Sequence, residues 1–399
     1  MTHSQEKLDQ EKEGLVSSLE HLCGHKSGQG ATASSPTLTD HNVQHHALTP
    51  AHAATSQQRS WYSRFFPSEE RVDELFAKEN LGNWVVNRST GEQVFESMPI
   101  YVRLGMHILF LHSKKSSLLR YQSVDHLLEE LSVSQGKAYD DESDPAAVLE
   151  HIKSFVATYA IPLDELLQPD LSSYRNFNAF FARRLRGDAR PVAEHTDPTV
   201  ISSAADCRLT VFSTVDEATR FWIKGKNFSV PSLLGDESTA SKFPPGSSLA
   251  IFRLAPADYH RYHSPVGPSV AGATKHIKGD YLTVNATVVN ENFDVFTNNK
   301  RDVLLNTWTP KQGAQGIPYA LVAIGAMLVG SIGWSEGAAE GSPANRGQEL
   351  GWFQYGGSTC IAVFPPEAKV QWDADLLKTS QGGRETIVKV GERIGKSLA

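Results

Sequence analysis

Gly356-Gly357-Ser358-Thr359-Cys360 sit in the middle of ELGWFQYGGSTCIAVF, a run that otherwise reads as strand. A glycine pair inside a strand is costly, because glycine gives up the most backbone freedom and leaves nothing to pack. The pair is tolerated where a strand bulges, or where another group must come close to the backbone. With a serine next in line, that group can be the serine's own hydroxyl, attacking the Gly357 carbonyl. The attack cuts the chain between Gly357 and Ser358 and can turn the serine into a ketone. Taken alone, these five residues are a weak signal, since most strand glycines mark bulges.

Two more polar sites lie upstream. In SSAADCRL (202–209), Asp206 follows two alanines, a setting that also suits an ordinary turn. In FRLAPADYHRYHSPVG (252–267), His260 and His263 alternate with Tyr259 and Tyr262 between two prolines. Histidines three apart can share a helix face or bind a metal. No HExxH glutamate and no third ligand accompany them, so no metal is expected. Together Asp206, His263 and Ser358 make a nucleophilic set: an acid orients an imidazole, which takes the hydroxyl proton. A serine hydrolase could use this order, but Ser358 lies in a β-rich segment without a GxSxG elbow.

These groups need a scaffold, and the chain divides in three. Residues 1–60 are rich in Ser, Thr, Gln, His, Gly and Ala and read as a disordered extension. Its histidines and Cys23 match no structural metal spacing. Residues 61–195 read as helical. One helix opens at Ser68. A second has Asp144-Pro145 as cap and first turn, followed by Val148, Ile152, Phe155, Val156 and Tyr159 at helical spacing. A third, capped by Ser172 or Ser173, carries Phe177, Phe180, Phe181 and Leu185. The stretch 101–121 holds Arg103, Lys114, Lys115 and Arg120 with no acid, and suits an anionic membrane surface or a core helix with a solvated end.

Residues 196–399 change to short β-branched runs split by Gly, Pro and Asn. The fold class expected is therefore α+β, with the helical region packed on a β-rich, barrel- or sandwich-like domain that carries the chemistry. The uncharged run 317–334 is long enough to span a membrane, but Pro318, Gly325, Gly330 and Gly333 make two buried strands the better reading.

Composition sets outer limits. Of 399 residues, 40% are hydrophobic and 21% charged, ordinary for a globular protein, and a net charge of −7 gives no footprint for nucleic-acid binding. Three cysteines without a CxxC suggest neither a disulfide framework nor a zinc site, and favour a reducing compartment. No secretory signal, transit peptide or transmembrane helix is expected, which points to the cytoplasm or the periphery of endomembranes.

A resemblance sharpens this reading. FNAFFARRLRGDARPV (177–192), AADCRL, FWIKGKNFSVPSLLG (221–235), APADYHRYHSPVG, YLTVNATVVNENFDVFTNNKR (281–301), VAIGAMLVGSI (322–332) and ELGWFQYGGST resemble, in order, the motifs of the phosphatidylserine decarboxylase family. The AAD and GGST variants are similar to its eukaryotic type II branch. The calcium-binding C2 modules common in that branch have no counterpart here, so calcium control is not expected.

The resemblance implies a zymogen. His263, held by Asp206, deprotonates Ser358, which attacks the Gly357 carbonyl. The ester undergoes β-elimination, and hydrolysis leaves a covalently bound pyruvoyl group and ammonia. The β chain would be residues 1–357 and the α chain 358–399, staying together. The pyruvoyl group, with no need of pyridoxal phosphate, forms a Schiff base with phosphatidylserine and accepts the electron pair as CO2 leaves. Reprotonation falls to His260, whose other reading is a structural loop histidine. Arg183, Arg184 and Arg186, with Arg175 and Arg190, either meet anionic head groups as a peripheral contact or form a solvated face. Two other readings are a pyruvoyl enzyme acting on a free amino acid and an uncleaved lipid-binding pseudoenzyme.

Overall fold

The computed structural model describes residues 43–45, 83–97, 136–221, 223, 228–280, 295–311, 313–325, 331–356 and 358–399. The helix expected from Ser68, the basic stretch 101–121, the strand at 281–289 and Gly357 lie outside the described residues, as does most of 1–60. In chain order the first strands are β1 (Val43–His45), β2 (Asn83–Asn87), β3 (Gln93–Ser97), β4 (Val200–Ser202), β5 (Cys207–Phe212) and β6 (Ser248–Leu254). There follow β7 (Arg261–His263), β8 (Ser269–Ile277), β9 (Arg301–Trp308), β10 (Ile317–Gly325), β11 (Ile332–Trp334) and β12 (Pro343–Ala344). The last are β13 (Glu349–Phe353), β14 (Ser358–Phe364), β15 (Val370–Trp372), β16 (Glu385–Val388) and β17 (Arg393–Ser397).

The protein is α+β, built around an eleven-stranded sheet of order β1-β3-β2-β16-β5-β6-β14-β10-β9-β8-β12. That order has two free ends, so among the described residues the sheet is open rather than closed into a barrel. Two small sheets, β11-β13-β7 and β15-β17-β4, flank it.

Strand β14 runs antiparallel between β6 and β10, and all seven of its residues are buried. A strand sends successive side chains to opposite faces. Cys360, Ala362 and Phe364 accordingly join one apolar core, and Ile361 and Val363 the other. Helices cover both. Ala218 of α3 (Val215–Phe221), Leu233 and Leu234 of α4 (Val230–Leu234) and Phe296 of α6 (Val295–Asn298) lie in the second core. Leu376 of α7 (Ala374–Gln381) lies in the first. Helix α5 (Glu237–Ala240) follows α4 directly.

A third apolar cluster joins the amino-terminal helices to the loop before β14. Helix α1 (Pro145–Tyr159) begins as its sequence predicts, with the Asp144 carboxylate accepting from the amides of Ala146 and Ala147. Its Ile152 and Phe155 pack with Phe177, Phe180 and Phe181 of α2 (Phe177–Phe181), and with Tyr355.

Several expectations change. The cap of α2 is Asn176, which accepts from Ala179 N at 2.8 Å, while Ser172 and Ser173 lie in a separate 3-10 turn. Leu185 is beyond the helix, bridged to Leu166 in antiparallel fashion. Residues 83–97, within the region read as helical, form a hairpin whose turn closes at Gly91 with φ of +74°. Val43–His45, in the segment read as disordered, pairs in parallel with β3. Residues 317–325 and 332–334 are two strands, and among the described residues no helix is long and apolar enough to cross a membrane.

Candidate active site

Ser358 opens β14, fully buried, in register with Leu254 of β6 and Gly325 of β10. Its Oγ donates to the Gly356 carbonyl at 3.3 Å, long for a hydroxyl bond and therefore weak. Gly356 has φ of +141°, a backbone region that side-chain-bearing residues rarely adopt. A Cβ there costs about 1–3 kcal/mol or forces the backbone round. Gly356→Ala is thus expected to slow any reaction between Ser358 Oγ and the carbonyl beside it by about 100-fold, since misplacement by an ångström costs that much. Timed denaturing gels of freshly made protein read this directly; an unchanged rate contradicts it.

His260 sits just before β7, and its carbonyl accepts from Phe353 N at 2.9 Å, which places it level with the end of β13. Its Nδ1 faces the Asp258 carbonyl at 3.0 Å and so carries the ring proton, leaving the lone pair on Nε2. Nε2 is buried and, among the described residues, has no hydrogen-bond partner. The ring stands 4.0 Å from Phe181, against which Tyr355 also packs at 5.0 Å. Burial pushes the imidazole down to about 3, so the resting ring is neutral. Asp258, whose carbonyl orients it, is half-buried and paired with Arg208.

His263 lies on β7 opposite Glu349. Its Nδ1 donates to the Gly347 carbonyl at 2.9 Å, and its Nε2 accepts from the Tyr259 hydroxyl at 3.2 Å. Burial lowers its pKa, against the pull of the Gly347 carbonyl and the charges of Glu349 and Asp206. Asp206 is buried in the β4–β5 turn. It accepts from Arg190 Nε at 2.9 Å, from Arg190 Nη2 at 2.6 Å and from Val390 N at 2.8 Å. Arg190 also bridges to Glu165 at 2.8 Å. Among the described residues no hydrogen bond joins Asp206 to His263, or His263 to Ser358. Asp206 acts on His263 through its charge.

The basic cluster does not form one face. Arg183 is buried, donating to the carbonyls of Ala257 at 3.0 Å and Asp258 at 2.9 Å, and burial pulls it down to about 10. Arg190 is committed to Asp206. Arg175, Arg184 and Arg186 are exposed, each beside a carboxylate: Glu142, Glu349 and Asp188. Cys207 and Cys360 are buried, which raises both thiols and keeps them neutral. Among the described residues no three His, Cys, Asp or Glu side chains converge as metal ligands.

Sequence reasoning missed Asn178, Tyr259 and Arg190 as contacts of this site. Asn178 alone had a local signal: a polar side chain amid the phenylalanines of FNAFF.

A family profile described as phosphatidylserine decarboxylase matches residues 177–396. Phosphatidylserine decarboxylase proenzyme 3 of Schizosaccharomyces pombe is 35% identical over 373 residues, 93% of this chain and 37% of its own length. Proenzyme 2 of Oryza sativa subsp. japonica is 41% identical over 314 residues, 78% of this chain and 48% of its own. The proenzyme of Chlamydia trachomatis serovar L2 is 39% identical over 248 residues, 62% of this chain and 78% of its own. The chain spans about a third to a half of the fungal and plant relatives.

Proposed function

The chain belongs to the phosphatidylserine decarboxylase family, and from that premise we propose that it is a self-processing zymogen that converts phosphatidylserine to phosphatidylethanolamine and CO2. The observation that carries this reading is Ser358, buried at the head of β14 behind a glycine held at φ of +141°. A buried hydroxyl beside a backbone that side-chain-bearing residues rarely adopt is a setting in which a chain can attack itself.

In the first stage Ser358 Oγ bonds to the Gly357 carbonyl carbon, the peptide C–N bond breaks, and the freed amine gains a proton. His263 Nε2 takes the hydroxyl proton, and the charge of Asp206 favours the imidazolium that results. The Tyr259 hydroxyl already donates to that nitrogen, so it must turn away or pass its own proton inward. Loss of the Ser358 α-proton then expels Gly357 as a carboxylate, and hydrolysis of the dehydroalanine releases ammonia.

The position of Ser358 is buried, which suits a pyruvoyl group, and among the described residues the buried His260 Nε2 just before β7 has no hydrogen-bond partner. The group supplies a ketone for a primary amine and an electron sink for the pair CO2 leaves behind. His260 Nε2 takes the proton that the substrate ammonium must lose to react, and returns it to the α-carbon after CO2 departs. A single imidazole nitrogen can accept a proton and give it back, so one group serves both halves of that transfer.

The substrate comes from a membrane surface in this reading. Exposed Leu163 and Leu167 lie beside Arg184 and Arg186, to which their segment is bound by Leu167 N to Arg184 O and Arg186 N to Glu165 O, both at 2.9 Å. These apolar and basic tips suit peripheral contact with an anionic bilayer. Release of CO2 from carboxyl-labelled phosphatidylserine vesicles, and none from free serine or tryptophan, is the expected result. Release from the free amino acids alone would replace the lipid with a soluble substrate.

A further inference from the structure

The loop that leads into Ser358 is gripped from outside the sheet. Asn178, the second residue of α2, is buried, and its Oδ1 accepts from Tyr355 N at 3.0 Å. Its Nδ2 donates to Asp140 Oδ1 at 3.0 Å. The two partners fix the amide's orientation: an N–H requires the oxygen and a carboxylate requires the NH2, so a flipped amide would lose both bonds. The Tyr355 ring is held as well, against Tyr139 at 4.7 Å, Phe181 at 5.0 Å and Phe177 at 5.6 Å. Gly356, with its unusual φ, follows immediately, and Ser358 is three residues on.

We propose that Asn178, oriented by Asp140, is a positioning residue for self-cleavage. It fixes the Gln354–Tyr355 peptide plane and through it the approach of the Gly357 carbonyl to Ser358 Oγ. The inference rests on the reading that the chain cuts itself, and adds to it a group outside the Asp206, His263 and Ser358 set. The helical layer thereby takes part in the first stage, since residues 139–142 hold α2 by further bonds from Asn176 Nδ2 to the Asp140 carbonyl at 3.3 Å and Glu142 at 3.2 Å.

The test follows the rate at which newly made full-length chain splits into two bands. Asn178→Asp keeps the acceptor for Tyr355 but sets a carboxylate against Asp140, and is expected to split about 100-fold more slowly. The double variant Asp140→Asn with Asn178→Asp restores one donor and one acceptor at each contact, and is expected to regain the wild-type rate within about threefold. Thermal midpoints of the same variants in a Ser358→Ala background, where every chain is unbroken, control for folding. Hydroxylamine, which cuts an accumulated ester, is expected not to restore splitting, because the block precedes the ester. Wild-type splitting with Asn178→Asp at the same rate overturns the clamp alone, and so does a hydroxylamine rescue. A wild-type chain that never splits overturns the proposed function and the clamp with it.

Discussion

Replacing Ser358 with alanine leaves one unbroken chain and no measurable decarboxylation. A methyl group cannot attack the Gly357 carbonyl, so neither the ester nor the ketone forms, and every later step loses its starting material. The loss would not trace to unfolding. The hydroxyl makes one long bond to Gly356, and giving up such a bond costs about 1 kcal/mol. The surrounding β14 core, from Cys360 to Phe364, is untouched. A denaturing gel, CO2 release and a thermal melt on the same sample check the three parts of this expectation. A Ser358→Ala chain that still splits or still releases CO2 contradicts the mechanism at its root.

Exchanging His260 for glutamine separates the two stages. Decarboxylation is expected to fall by about 10²–10⁴-fold, the usual worth of a placed acid–base group, while the chain still splits. His263→Gln does the reverse and leaves the zymogen whole. The division follows from the two rings' surroundings. His263 is wired through Tyr259 and Gly347 and feels the charge of Asp206. His260 offers an Nε2 with no hydrogen-bond partner among the described residues. CO2 release per split chain measures the first effect and band ratios the second. A His260→Gln enzyme within threefold of wild type would remove this residue from the proton transfer.

The buried histidines also set an acid limit on stability. His260 is held at about 3 and His151 at about 4, both by burial, whereas an unfolded chain protonates near 6.5. Above that value the stabilisation is fully present. As pH falls below it, the unfolded chain takes up protons the folded one refuses, and each group withdraws up to about 1.4 kcal/mol per pH unit. The melting midpoint of the Ser358→Ala chain should therefore drop between pH 6.5 and 4, and His260→Gln should flatten part of the slope. A level profile over that range contradicts the burial argument.

What the sequence made legible is what local physics encodes. Asp144-Pro145 followed by apolar residues at helical spacing marked α1, and glycines and a proline divided 317–334 into β10 and β11. Gly356-Gly357-Ser358 pointed to a candidate site because the cost of glycine in a strand needs a reason. The hairpin at 83–97 has a local signal, the RSTG turn between NWVVN and EQVFES, set in a region of otherwise helical texture. Burial of Arg183 and the commitment of Arg190 were not legible. Both depend on carbonyls and carboxylates brought in from other turns of the chain, and a run of arginines looks alike whether solvated or interred. Asn178 and Tyr259 belong to the same class. Asn178 stands out as polar amid phenylalanines, but its partner Tyr355 is 177 residues away, and the Tyr259 contact depends on a ring orientation; no spacing rule reports either.

The most direct test is the intact mass of the purified protein under denaturing conditions. Two species are predicted: residues 1–357 ending in a carboxylate, and residues 358–399 lighter by the elements of ammonia than the serine-headed peptide, with no free amino terminus. A single uncut species of 399 residues, or a small fragment that begins with an ordinary serine amine, would contradict the account.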